Sequence, residues 1–381
     1  MANFFSKLRT LFTPIHPLPA GNYHYKSPAN DPRNYRLHLR LEEDGSGILI
    51  INAATILHLN HTAAEYAYNL VMNKSVNEAA SQMAQRYHVD ESQARKDYQS
   101  FIDRIQTLIE TPDLDPVTFL DFERKIPLSG HITAPYRLDC AITYRLPESA
   151  AASAAPVDRV RQEMSTSEWK TILDKAKLAG IPHIVFTGGE PTLREDLPEL
   201  IAYAEANDLV TGVLSDGMRF ADAPYLDRLL NTGLDHTMIL LQPDQDRAWE
   251  AIGKTIAADI FLAVHLTIDE QTAGKVSNLL HRLADLGVRA VSLSINNREH
   301  LAVLQSATQL AATLGMQLVW DLPVPYSANH PVALEVEEHE RTQGAGRAWL
   351  YIEPDGDVLP AQGINRVLGN MLTDPWDKIW P

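Results

Sequence analysis

Seven short apolar runs alternate with six amphipathic segments through the middle of the chain, and this alternation restricts the fold more than any other feature. The runs cover 138–144, 183–186, 210–214, 237–241, 261–267, 290–294 and 317–320. Helical patterns lie between them at 167–178, 194–207, 224–231, 247–257, 273–286 and 299–314. Strict βα units of about 25–35 residues predict a parallel α/β sheet. The pattern leaves two windings open, a partial barrel and an open doubly wound sheet. In either, ligands bind at the carboxyl ends of the strands, and candidate site residues are sought there.

The second unit ends its strand most abruptly. Ile184-Val185-Phe186-Thr187-Gly188-Gly189-Glu190-Pro191-Thr192-Leu193 runs from an apolar strand into a glycine pair, an acid and a proline, with a helix opening around 193–197. Adjacent glycines let the backbone turn sharply and expose its N–H and C=O groups to a ligand. Taken alone, the segment also fits a Gly-rich turn without a ligand. In this position of the array, Thr187–Thr192 resembles the S-adenosylmethionine (SAM) motif of radical SAM enzymes, whose Gly-Gly-Glu backbone holds the amino group of the methionine moiety. The resemblance implies a partial (β/α)6 TIM barrel of radical SAM type over 133–325. It also implies a SAM pocket lined by Gly188, Gly189, Glu190 and Pro191.

Ser215-Asp216-Gly217 follows the third strand, where that family often has an Asn before Gly. Asp216 reads as a ribose-hydroxyl partner or as a simple turn residue. By position, Gln242 and Asp244 end the fourth strand, Thr267 and Asp269 the fifth, and Asp321 the last; the first two pairs are expected to face the pocket mouth. His265, inside a strand, reads as a satisfied core histidine before a catalyst.

Before the array, 13–34 carries Pro14, Pro17, Pro19, Pro28 and Pro32 and no apolar period, and with 1–12 it is read as an arm or linker, 1–34. Tyr35, Leu37, Leu39 and Leu41 alternate with Arg36, His38 and Arg40, the period of a half-exposed strand. A turn at 42–47 and a second strand at 48–51 come next, then helices at 60–72, 76–88 and 91–109. Thr62 with Glu65 suggests a capping box for the first helix. Two strands and three helices over 35–112 resemble the PqqD-like winged-helix module, a small α+β domain that recognises leader peptides. That implies a peptide partner added as a strand, here along the backbone of 37–41. A small α+β packing domain is the alternative reading. A proline-bearing connector, 113–132, leads to the barrel.

At the other end, Trp349-Leu350-Tyr351-Ile352-Glu353-Pro354-Asp355-Gly356-Asp357-Val358-Leu359-Pro360 predicts a hairpin about an Asp-Gly turn. It resembles the opening of the SPASM or twitch extension, which carries auxiliary clusters in many peptide-modifying radical SAM enzymes. Over 345–381 that extension reads as truncated.

Radical SAM chemistry requires a [4Fe–4S] cluster held by three cysteines after the first barrel strand. This chain has one cysteine, Cys140, within that strand, where core packing is the expected role. Leu146, Ala150 and Ser153 occupy the expected ligand positions, and Glu148 is alone in that loop. At the auxiliary site, Ala361 replaces the cysteine after the proline, and Thr342 and Gln343 stand where another is expected. No [4Fe–4S] cluster is therefore expected, and no metal ligand or catalytic residue is assigned.

A formal charge of −16 argues against broad nucleic-acid binding. No apolar run is long enough to span a bilayer, and 1–12 lacks a secretory signal's apolar core. That segment reads as a frayed tail; a short basic amphipathic helix is the other reading. A cytoplasmic protein is expected, since one cysteine forms no internal disulfide. The leading expectation is a cluster-free, pseudoenzyme-like radical SAM relative that binds a peptide, retains SAM affinity and supports a partner enzyme. The competing expectation is an enzyme, with cluster ligands from other residues or a partner, or with polar SAM chemistry. A third is that the barrel is purely structural.

Overall fold

In the computed structural model the described residues are 16–28, 30–33, 35–52, 55–111, 133–148, 155–258, 260–319 and 345–380. The chain divides into two units, 1–125 and 126–381.

The first unit is an antiparallel meander of four strands with three helices. The strands are β1 (Gly21–Lys26), β2 (Arg36–Leu41), β3 (Gly47–Ile51) and β4 (Thr55–Leu59), in the order β1-β2-β3-β4. The helices are α1 (His61–Val71), α2 (Val76–Tyr87) and α3 (Glu91–Glu110). Leu37, Leu39 and Leu41 share one face with Leu49, Ile51, Leu57 and Leu59, and bury it against Ala64, Ala67, Val71, Ile105 and Leu108. Fully burying each large aliphatic side chain contributes about 1.5–3 kcal/mol.

Four expectations for this unit need correction. The supposed arm contains β1, paired with β2 over six residues from Gly21↔Leu41 to Lys26↔Arg36. The sheet has four strands rather than two, because β4 pairs with β3 from Gly47↔Leu59 to Ile51↔Thr55. Strand β2 is not half-exposed: Arg36, His38 and Arg40 are as buried as the leucines between them. The α1 cap is Asn60, whose side chain accepts from the Ala63 N–H at 3.0 Å, rather than Thr62. A capping box does form one helix later, where Ser75 and Glu78 open α2.

The second unit carries a ten-stranded mixed sheet in the order β11-β10-β9-β8-β7-β6-β5-β12-β13-β14. Its parallel strands are β5 (Arg137–Thr143), β6 (His183–Gly188), β7 (Val210–Ser215), β8 (His236–Leu240), β9 (Phe261–Ile268), β10 (Ala290–Ile295) and β11 (Gln317–Leu318). Each pairs with the next in chain order, so the winding never reverses. A doubly wound sheet would reverse. The partial-barrel winding is the one formed.

Helices α4 (Thr166–Ala179), α5 (Leu197–Ala206), α6 (Ala223–Leu230), α7 (Asp246–Ala257), α8 (Val276–Leu286) and α9 (Leu301–Thr313) separate these strands. Their apolar stripes, Trp169, Leu173, Leu200, Ile252 and Leu280 among them, pack on Leu138, Ile142, Ile184, Phe186, Val213 and Val264. The alternate strand residues Val185, Leu214, Met238, Ala263 and Ala290 form a separate cluster on the inner face. Period-two alternation thus splits each strand between two apolar layers.

The hairpin forms as expected, from β12 (Trp349–Ile352) and β13 (Asp357–Leu359), with β14 (Gly369–Asn370) beyond. It joins the barrel sheet: β12 runs parallel to β5 from Trp349↔Arg137 to Ile352↔Cys140. Lys175 of α4 fastens the segment after β14, donating to the carbonyls of Met371, Leu372 and Asp374 at 2.8–3.1 Å.

Candidate functional site

Gly188 and Gly189 lie where the end of β6 presses on the backbone leaving β5. A Cβ on Gly188 would stand 2.1 Å from the Thr143 carbonyl oxygen, and one on Gly189 2.2 Å from that of Arg145. Gly188 also adopts φ +131°, which disfavours any side chain. The Gly189 N–H donates to the Thr143 carbonyl at 2.7 Å and the Glu190 N–H to that of Arg145 at 2.9 Å. These N–H groups are therefore spent on β5 rather than exposed to a ligand, which corrects the sequence-based expectation. A trans peptide directs its C=O opposite its N–H. The Gly189 carbonyl therefore points away from Arg145, and among the described residues no hydrogen bond reaches it.

Glu190 gathers the next strand end around itself. Its Oε1 accepts from the Thr192 N–H at 2.9 Å and the Ser215 hydroxyl at 2.8 Å, and its Oε2 from the Asp216 N–H at 2.8 Å. Pro191 opens a single 3-10 turn, Pro191–Leu193, below this carboxylate. Asp216 accepts from the Met218 N–H at 2.8 Å as the chain turns through Gly217. Burial, and then the charge of Asp216, push the Glu190 carboxyl up to about 7, and burial raises Asp216 too. The two carboxyls therefore titrate as one coupled pair. The fold thus brings Glu190, Ser215 and Asp216 together.

Sequence reading took Thr192 only as the end of the glycine motif and passed over Arg194 and Glu163, which complete this region. Arg194 is buried and fully engaged, with Asp196 at 2.8 and 2.6 Å and the carbonyls of Ile142 and Met164 at 3.0 and 2.9 Å. Glu163 accepts from the Thr143 hydroxyl and from the Tyr144 N–H. Thr192 and Arg194 were signalled by adjacency to the glycine motif; Glu163, twenty residues from Thr143, had no local signal.

Among the described residues after β5, none offers a thiolate. Leu146 packs against an apolar group of Ala141, Tyr144, Ala155, Tyr351 and Leu359. Ala150 and Ser153 lie outside the described residues, as do Thr342, Gln343 and Asp321. Cys140 is fully buried in the helix-facing core, and burial raises its thiol well above the usual range. Among the described residues, Glu353, Asp355 and Asp357 bring three carboxylates within 4.8 Å of one another. That set is all hard oxygen, unlike the thiolates such clusters need. Glu353 is already engaged by Tyr144 and Arg159, and Asp357 by Asn370. Ala361 offers only a methyl group and its backbone.

The remaining strand-end candidates do not converge. Asp244 is exposed and lies 3.6 Å from Lys275. Asp269 accepts from the Gln271 and Thr272 N–H groups within its own turn. His265 is buried on the inner face, bonded to Ser292 at 3.0 Å, Ser294 at 3.0 Å and Thr267 at 3.2 Å, as a satisfied core histidine should be.

In the first unit, the expected peptide edge is already taken, since β2 is paired on both sides. Strand β4 pairs with β3 alone among the described residues. Beside it lies a cleft of about 270 Å³, between Leu57 and Leu59 on β4 and Tyr66, Phe101, Arg104 and Ile105 on α1 and α3. A sheet-edge strand beside an apolar cleft accepts an extended chain by backbone hydrogen bonding.

Residues 140–280 match the family model of the radical SAM superfamily, and 47–108 that of coenzyme PQQ synthesis protein D (PqqD). A PqqA peptide cyclase of Xanthomonas campestris pv. campestris (strain 8004) is 27% identical over 282 residues, covering 65% of this chain and 72% of the cyclase. One from Streptomyces rochei is 24% identical, covering 65% and 76%. SuiB of Streptococcus suis bound to S-adenosylmethionine superposes with a TM-score of 0.61 at 15% identity, over 90% of this chain and 86% of SuiB. SuiB bound to its precursor peptide SuiA gives 0.62 at 14%, over 94% and 88%. This structural likeness establishes the fold. The chain carries a radical SAM domain over residues 140–280 and a PqqD domain over residues 47–108.

Proposed function

We propose that the protein is a peptide-binding component of a peptide-modification system, with a SAM-type pocket and no iron–sulfur cluster of its own. The observation that carries the second half is Cys140: the chain's one thiol is sealed in the helix-facing core. Three thiolates are required and none is available. The fit to SAM rests on the Gly188–Pro191 turn, whose Gly189 carbonyl remains open to an ammonium group. Ser215 and Asp216 close the same turn from β7. When bound, SAM would supply a sulfonium centre; homolytic cleavage would need a reductant that these residues do not hold.

The peptide half rests on the β4 edge and its cleft, supported by the PqqD match and by the precursor peptide carried by SuiB. The reading places the protein in the cytoplasm with the system's other components. Among the described residues no helix is long and apolar enough to cross a membrane. The 345–381 segment is assigned here to a SPASM- or twitch-like extension on its hairpin alone.

Similarity to the PqqA peptide cyclases favours one second reading, an enzyme whose cluster ligands come from a partner chain. Iron and sulfide content after anaerobic reconstitution separates the two. The expected result is no stoichiometric iron, with or without candidate partner chains added. About four irons per chain would overturn the cluster-free reading.

A further inference from the structure

The sheet of the first unit is buried on both faces, and its three helices account for one of them. Leu37, Leu39 and Leu41 face α1–α3. By strand alternation Arg36, His38 and Arg40 point the other way. Lys26, His24 and Asn22 of β1 stand beside them in register, as do Ile50 and Ile48 of β3 beside His38 and Arg40. Arg36, His38 and Arg40 are 4–6% exposed and Ile48 and Ile50 2–3%, yet neither isoleucine belongs to the apolar layer under the helices. Something other than α1–α3 covers this face. Its chemistry is set by what it covers: two aliphatic side chains and a row of cations, each of which has a partner. A buried cation persists where acceptors, carboxylates above all, balance its charge.

Two stretches at the ends of the first unit lie outside the described residues, 1–15 and 112–125. The first carries Lys7 and Arg9 and no acid, so its charge has the wrong sign. The second begins with Asp113, Asp115, Asp121 and Glu123, has Leu114, Phe119 and Phe122 among them, and meets its first base at Arg124. That is the composition the face calls for. The starting point fits as well. Glu110, in the last turn of α3, lies 3.5 Å from Arg33, just before β2. The chain therefore leaves α3 at the end of the sheet where Lys26 pairs with Arg36. Strand β2 spans six residues, and an extended stretch from 113 to 123 reaches about twice as far.

We propose that the acidic stretch 113–123 packs on the second face of this sheet and supplies the carboxylates that its buried cations require. It is then part of the first unit's fold, and the linker to the barrel begins after it. With that face closed, a peptide partner meets the sheet at an edge.

The test is thiol accessibility in the full chain, on a Cys140→Ala background. Ile50→Cys reports the second face, and Leu49→Cys, its neighbour on β3, reports the helix-packed face. Both thiols should react slowly with maleimide, which also shows that the variants fold. Asp113→Asn, Asp115→Asn, Asp121→Asn and Glu123→Gln together should speed labelling of the Ile50→Cys thiol about tenfold, the combined value of a few ion pairs, and leave the Leu49→Cys thiol slow. The matched control is an acidic stretch of the second unit, changed by Glu335→Gln, Glu337→Gln, Glu338→Gln and Glu340→Gln, which should leave both rates as they were. Acceleration by the control set in place of the first would overturn the assignment. So would no acceleration by either set. Equal acceleration at both thiols would overturn it too, since the acids would then stabilise the unit as a whole without backing this face.

Discussion

Ser215 donates its hydroxyl to the Glu190 carboxylate at 2.8 Å and, with the Asp216 N–H beside it, ties the turn after β6 to the end of β7. The carboxylate is buried and its pKa lies near 7, above the ordinary 4.5. The folded state therefore holds this proton more tightly than the unfolded chain. The associated stability is fully present below pH about 4.5 and is lost as pH rises through about 7. Glu190→Gln also turns an amide N–H toward donors from Thr192, Ser215 or Asp216, at a cost of about 1–3 kcal/mol. The variant should be least stable relative to wild type near pH 5, and the gap should narrow by pH 8. Urea unfolding across that range measures it. A gap that widens with pH would mean that the carboxylate prefers to be ionised.

The glycine pair gives a steric prediction. Gly188→Ala or Gly189→Ala would place Cβ about 2 Å from a backbone oxygen of Thr143 or Arg145, and backbone has little room to yield. Either substitution should cost about 3 kcal/mol or more, or prevent folding. Gly274, whose Cβ would meet nothing within 4 Å, provides the control, and Gly274→Ala should stay within about 0.5 kcal/mol. Equal unfolding midpoints for all three variants would refute the packed turn.

Cys140 makes a reactivity prediction. The thiol is fully buried and burial holds its pKa high, so the nucleophilic thiolate is scarce in the native state. Maleimide or disulfide reagents should modify it only at the rate at which the barrel opens, and promptly in urea. Prompt stoichiometric labelling of native protein would place the thiol at a surface and reopen its candidacy as a ligand. Cys140→Ala should leave any bound iron unchanged.

What could be read in the chain divides along the range of the interactions. The seven parallel strands and the hairpin about Asp355-Gly356 were legible because apolar alternation and turn residues are local signals. Strand β1 was not: its six pairings are to β2, and flanking prolines masked the weak alternation of Tyr23 and Tyr25. The burial of Arg36, His38 and Arg40 was equally hidden, since their alternation is identical in a half-exposed strand. At the site, Gly188–Pro191 could be picked out by its own sequence. The bonds that Ser215 and Asp216 make to Glu190 span 25 and 26 residues, and the Arg145 contact 45, and no pattern within one element encodes them.

The opposite end of the barrel carries the last prediction. His183 and His236 share a 2.7 Å contact between their Nε2 atoms, below Gly212 and beside the Arg137–Asp139 ion pair. The His236 Nδ1 is buried and unpartnered. Burial, and then the charge of Arg137, push the His236 pKa down to about 4 from 6.5. Between those values the unfolded chain binds the extra proton and the folded one refuses it. The stability is therefore present above pH about 6.5 and is lost as pH falls toward 4, by about 3 kcal/mol. This slope is opposite in sign to that of Glu190, and substitution separates them. His236→Gln should flatten the acid limb of the stability curve and leave the loss between pH 5 and 8 in place. Glu190→Gln should do the reverse. If His236→Gln left the acid limb as steep as in wild type, the buried imidazole pair would not be what resists protonation there.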